Sequence, residues 1–233
     1  MFMHPKYLPF ILPLFLAVTI SAAQPSQRPA HRIGDVKVGA FDARNVSIDQ
    51  FVADLSRRTN ILFCVEETRS DSQVLEAGVT LSVEENEPLN HVLDHLQLQH
   101  PEIRWSIESG VIVIQTLAAQ ELKDNPLNMK IHSFEFKGSI TELISYLNAK
   151  APGLWASIWT DTPIIYRGNY TLRADSDVTV REVLCVLGRD YGIRWYAEIR
   201  PPLEPNSSTG SGIKLLVRVS LGLLQRGVPV PVE

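Results

Sequence analysis

The sequence predicts an α+β fold made of two tandem small domains. In each, two helices pack on small sheets in the order β-α-β-β-α-β-β. Three observations carry this. First, landmarks recur in one order 90 to 92 positions apart: Ile103-Arg104-Trp105 returns as Ile193-Arg194-Trp195, Val92-Leu93 as Val183-Leu184, Val79-Thr80-Leu81 as Tyr170-Thr171-Leu172, and Ser47-Ile48 as Ser139-Ile140. Self-similarity at a fixed period marks a duplicated unit. Second, segments of helical periodicity alternate with short runs of strand periodicity in both halves. Third, 45% of the 233 residues are apolar and 21% charged, which suits a packed core and not a disordered chain.

The chain opens with a short stretch, Met1 to Lys6, that carries one positive charge, followed by an apolar run over Tyr7 to Ile20 and small residues at Ser21-Ala22-Ala23. This is the layout of a secretory signal peptide over 1–23. Pro9 and Pro13 interrupt the run, and it is shorter than the ~20 residues of a membrane span. The mature chain, starting at Gln24, is expected to be periplasmic or secreted, with no membrane span, soluble or peripheral to the outer membrane. Residues 24–32 are rich in Pro and Gln and read as a disordered N-terminus.

The first domain is expected over 33–118. Val36, Val38 and Ala40 alternate as an opening strand. Ser47 and Gln50 form a capping box before Ile48, Phe51, Val52 and Leu55, which share one helical face. Asn60 suits a left-handed helix end. Ile61 to Val65 is a short buried strand, and Val79 to Val83 alternates as another. Leu89, Val92, Leu93 and Leu96 form the next helical face, which Pro101 ends. Ile103 to Ile107 and Val111 to Ile114 flank Ser109-Gly110, a hairpin signature.

Residues 119–128 are polar, contain Pro126, and read as a linker. The second, divergent copy is expected over 129–220. Its strand signals are Ile131 to Phe136, Leu154 to Trp159 and Tyr170 to Arg173, followed by a hairpin from Ile193 to Ile199 and Ile213 to Val219. Ser139 with Glu142, and Thr179 with Glu182, form capping boxes before its two helices. The 221–233 tail, ending Val-Pro-Val-Pro-Val-Glu, reads as an extended segment that is either frayed or added to a sheet edge.

The first copy carries a recognisable line. Val79-Thr-Leu-Ser-Val is followed by Asn86, Pro88-Leu89, Val92-Leu93 and Leu96, then by Ile103 to Ile107 and Val111-Ile-Val-Ile. This resembles the short N-terminal domain shared by secretins and TonB-dependent transducers. The match covers most of 47–116, and the second copy keeps the order more loosely. The resemblance implies a periplasmic domain that docks to protein: a secretin, a TonB-type receptor or a sigma-regulator system. Homo-oligomerisation is compatible with it. The chain has no room for a channel-forming core after residue 220, so the expectation is an adaptor or accessory of such an assembly.

The residue chemistry points the same way. Acidic residues outnumber basic ones 26 to 22, for a net charge of −4, which does not suit a nucleic-acid binder. There is no glycine-rich phosphate cradle and no nucleophile elbow. His91 and His95 lie one turn apart on a helix, as metal ligands can, but that helix turns its apolar residues inward and leaves both histidines on the solvent side. No catalytic residue, metal or cofactor is assigned. Cys64 and Cys185 read as buried small hydrophobes, with a single disulfide as the alternative.

The candidate partner-binding residues are Trp155, Trp159, Tyr166 and Tyr170, together with Arg104 and Arg194. The four aromatics fall within 16 positions; Trp155 and Trp159 alternate with Leu154, Ala156 and Ile158 on a strand whose two faces a small domain cannot easily both bury, and aromatics are enriched at binding hot spots. The two arginines occupy equivalent places beside Trp105 and Trp195. The expected mechanism is edge-strand pairing plus an aromatic patch. An alternative is a small-ligand or glycan site in a groove between the two copies.

Overall fold

The computed structural model describes residues 33–158, 168–174, 176–200 and 216–223. The class is α+β. The first half runs β1 (Lys37–Val38), β2 (Phe41–Ser47), α1 (Ile48–Thr59), β3 (Phe63–Thr68), the short α2 (Ser72–Leu75), β4 (Gly78–Val83), β5 (Glu87–Pro88), α3 (Leu89–Gln99), β6 (Ile103–Glu108) and β7 (Val111–Thr116). After α4 (Leu117–Glu121) and a 3-10 turn at Pro126–Asn128, the second half runs β8 (Lys130–Ile131), β9 (Glu135–Gly138), α5 (Ile140–Lys150), β10 (Leu154–Ile158), β11 (Tyr170–Arg173), β12 (Val178–Thr179), α6 (Val180–Tyr191), β13 (Ile193–Arg200) and β14 (Leu216–Leu223). The 1–23 leader, the 24–32 stretch and the tail beyond residue 223 lie outside the described residues.

Local chemistry explains the helix limits. The Ser47 hydroxyl accepts from the Gln50 N–H at 3.2 Å, and Asn60 ends α1 at φ 54°. Only the backbone half of the expected capping box forms there. Both halves form at Ser139–Glu142 on α5 and at Thr179–Glu182 on α6. Such N-caps are worth ~1 kcal/mol each. Ser109 (φ 48°) and Gly110 (φ 86°) make the tight turn of the β6–β7 hairpin.

The pairing pattern repeats between the halves. β1 pairs with β5 as β8 pairs with β12, and β2 pairs with β4 as β9 pairs with β11, all antiparallel. In the first half β7 lies between parallel β3 and antiparallel β6. In the second half β14 lies between parallel β10 and antiparallel β13. The halves are not separate bodies, because the two three-stranded units join into one six-stranded sheet of order β10-β14-β13-β3-β7-β6.

The joint is a parallel pairing of β13 with β3, with Tyr196 opposite Val65 and Ile199 opposite Thr68. β13 is the counterpart of β6, yet β6 runs antiparallel to β3. The second half is therefore turned over relative to the first, and its helices lie on the opposite face of the sheet. On one face Phe63, Val65, Ile112 and Ile114 pack with the apolar stripes of α1 and α3. On the other, Trp195, Ala197 and Ile199 pack with α5 and α6, and so do Leu62, Cys64, Val111 and Val113 from the first half. β3 and β7 are thus covered on both faces, and every residue in them is buried. That is why Phe63 to Val65 and Val111 to Ile114 within them read as apolar runs instead of alternating.

The expected linker is part of this packing. Thr116 caps α4, the Asn125 side chain accepts from the Leu127 N–H at 3.0 Å, and Ala119 and Leu127 are buried in the second core. Gly188 on α6 lets the helix press against the first half: a Cβ there would lie 2.4 Å from Leu62 Cδ2.

Candidate interaction surface

Two regions stand out in this architecture: the seam between the halves and the two outer edges of the sheet. At the seam Glu66 projects from β3 with 0% exposure. Arg181, at the start of α6, donates to it through Nε and, at 2.9 Å, through Nη2. Gln115 Nε2 donates to the same carboxylate at 2.8 Å, and Arg181 Nη1 reaches Asn128 Oδ1 at 2.5 Å. Burial alone would lower the pKa of Arg181, but the hydrogen bond and charge of Glu66, with Glu108 nearby, outweigh it and raise it. Burial raises the pKa of Glu108 itself, against the opposing charge of Arg181.

On the other face of the seam, Tyr196 Oη donates to Glu67 Oε1. Glu67 Oε2 is buried with no hydrogen-bond partner among the described residues. Burial pushes the Glu67 carboxyl above the ordinary carboxylate range, despite that bond. Arg194 Nη2 meets Asp49 Oδ1 of α1 at 3.2 Å, so this arginine also bridges the halves. These groups hold the seam together, and the rest of it is filled by Leu62, Cys64, Val111, Cys185 and Gly188.

Sequence reasoning missed Glu66 and Arg181. One signal was available: Arg181 sits in the first turn of a helix, where the dipole disfavours a cation.

The outer edges are different. Trp155 lies on β10 and is 61% exposed, while its neighbour Leu154 is buried. Arg104 lies on β6 at the opposite edge, and its Nη1 donates to the Pro101 and Ile103 carbonyls at 2.7 Å each. Among the described residues no strand pairs with the outer side of β6 or of β10. The structure therefore separates Trp155 and Arg104 to opposite ends of one sheet. Arg194 is taken up by the seam. Tyr170 is buried and packs edge-on against Tyr191, with ring centroids 4.8 Å apart, so it belongs to the core. Trp159 and Tyr166 lie outside the described residues.

The remaining candidates have local accounts. His95 Nδ1 lies 3.5 Å from Glu87 Oε1, and His91 is exposed. Among the described residues no three His, Cys, Asp or Glu side chains gather as a metal site. Cys64 and Cys185 are buried free thiols of one core, and burial pushes the Cys64 thiol up to about 12. No helix among the described residues is long and apolar enough to cross a membrane. Compared with protein-family models, with curated proteins and with solved structures, the chain matches none.

Proposed function

We propose that the chain is a non-enzymatic protein-interaction module of the cell envelope, an accessory or adaptor in a secretin-type or TonB-dependent assembly. It docks by adding a strand of its partner to an open edge of its six-stranded sheet. The observation that carries this is the pair of outer strands, β6 and β10, with a largely exposed tryptophan on one of them. An unpaired edge offers a row of N–H and C=O groups to another chain, and a neighbouring aromatic supplies apolar anchoring.

The test is photo-crosslinking from position 155 in the cell envelope, with the adduct identified by mass spectrometry. The expected adduct is a polypeptide of an outer-membrane secretion or transport assembly. Titration with soluble cell-wall fragments is the counter-test. Fragment binding that quenches Trp155 fluorescence, with no polypeptide adduct, would overturn the reading in favour of a glycan receptor.

A further inference from the structure

We propose that a second copy of this chain docks head to tail, with the β6 edge of one molecule pairing in parallel with the β10 edge of the next. This rests on the reading of the chain as an edge-docking module: copies of the chain occupy the inner edges of a run, and the terminal β10 edge of that run stays available to the envelope partner. The seam inside the molecule is the template. There β13, the second-half counterpart of β6, pairs with β3, the first-half counterpart of β10. Joining two unlike edges leaves one edge of each kind, at the two ends of the sheet, with no strand partner among the described residues. An interface between unlike surfaces is not used up by one pairing, so it repeats from chain to chain and ends in a ring or a filament according to the rotation between copies.

Register gives the correspondence residue by residue. Ile107 and Ala197 face Ile112 and Val219 in the two hairpins, and those residues face Phe63 and Ala156 in turn. Phe63 thus corresponds to Ala156, Leu62 to Trp155 and Val65 to Ile158. At the seam Leu62 is buried beneath Gly188 of α6. Its counterpart Trp155 is exposed. The next residue of α6, Arg189, reaches across the seam to the Ser109 carbonyl at 3.4 Å. Its counterpart on α3, aligned by Val92 with Val183, is Leu98, which is 79% exposed.

The two most exposed large apolar side chains among the described residues therefore occupy the two positions that the seam uses in the other half. One sits at each end of the sheet. The inner register, Tyr196 opposite Val65, places Ser106 of one copy opposite Ile158 of the next.

The experiment is sedimentation of the full chain over a concentration series, with Trp155→Glu and Leu98→Glu variants. Both side chains are exposed, and unchanged circular dichroism confirms that the variants fold. The wild type is expected to grow in mass with concentration. Each variant alone should stay monomeric, because each lacks one of the two edges. An equimolar mixture should form a one-to-one dimer, because each variant supplies the edge that the other has lost. A mixture of Ser106→Cys and Ile158→Cys chains should give a covalent heterodimer under mild oxidation, and neither chain alone should.

A wild type that is monomeric throughout the series overturns the proposal, as does a Leu98→Glu chain that still dimerises, which would mean a symmetric β10–β10 contact. If the wild type is monomeric while position 155 still captures an envelope polypeptide, self-docking fails and the proposed function stands.

Discussion

Replacing Arg181 by methionine removes the only cation that touches the Glu66 carboxylate among the described hydrogen bonds and ion pairs. Methionine keeps much of the side-chain volume, so the change is chiefly electrostatic. Glu66 is then left at 0% exposure with Gln115 as its remaining donor. Breaking a buried pair from one side costs ~3–5 kcal/mol, because a charge is stranded away from water. Domains are stable by ~5–15 kcal/mol in total, so the loss is a large fraction of the whole. Urea unfolding at neutral pH, followed by far-ultraviolet circular dichroism, reads it as a lower midpoint. The double variant Arg181→Met with Glu66→Gln should recover most of the loss, since glutamine carries no charge and can still accept from Gln115. With the Glu66→Gln single variant these close a thermodynamic cycle. A loss below ~1 kcal/mol for Arg181→Met, the range of an exposed ion pair, would refute the reasoning by showing that water reaches Glu66.

Three further outcomes follow from the same geometry. Glu67 has a folded pKa raised above its ordinary 4.5, so the native state binds its proton more tightly than the unfolded state does. That contribution is present in acid and is lost as pH rises through the folded value, so the charged form costs stability at neutral pH. Glu67→Gln keeps an acceptor for Tyr196; it should raise the urea midpoint at pH 7, and the gain over wild type should vanish towards pH 4. Gly188→Ala pushes a methyl group into Leu62 at the seam and should cost ~1–3 kcal/mol in the same assay. Trp155→Ala should leave stability within ~0.5 kcal/mol of wild type, because the ring is largely exposed, while abolishing recovery of the envelope partner in a pull-down with the intact chain.

The sequence carried what is local. Ser47, Ser139 and Thr179 mark helix starts, Asn60 and Gly192 mark helix ends, and Ser109-Gly110 marks a hairpin, because each rule involves residues a few positions apart. The landmarks recur at a spacing of 90 to 92 positions, and the strand-pairing order recurs between the same halves. What the sequence did not show is how the halves meet. β13 and β3 pair about 130 residues apart, and an apolar strand does not name its neighbour. Strand β3 also runs through Glu66, Glu67 and Thr68, beyond the apolar stretch that announces it; Arg181 pairs with Glu66, and Tyr196 bonds one oxygen of Glu67.

The candidate site divides along the same line. The alternation of Leu154 with Trp155 marked one face of the strand as a candidate surface, and in the fold Trp155 is exposed while Leu154 is buried. Tyr170 and Arg194 needed the fold, since Tyr191 and Asp49, which engage them, come from distant positions. The 119–128 segment looked like a linker because its buried anchors, Ala119 and Leu127, are isolated among polar residues.

Hydrogen exchange on the intact, dilute chain, resolved strand by strand, tests most directly whether one continuous sheet with two open ends underlies this protein. Amides of 63–68 and 193–200 should exchange with a single shared free energy of opening, while the outward amides of 103–108 and 154–158 exchange far faster. Separate opening energies for the two inner strands, or outer strands protected as well as the seam, would contradict it.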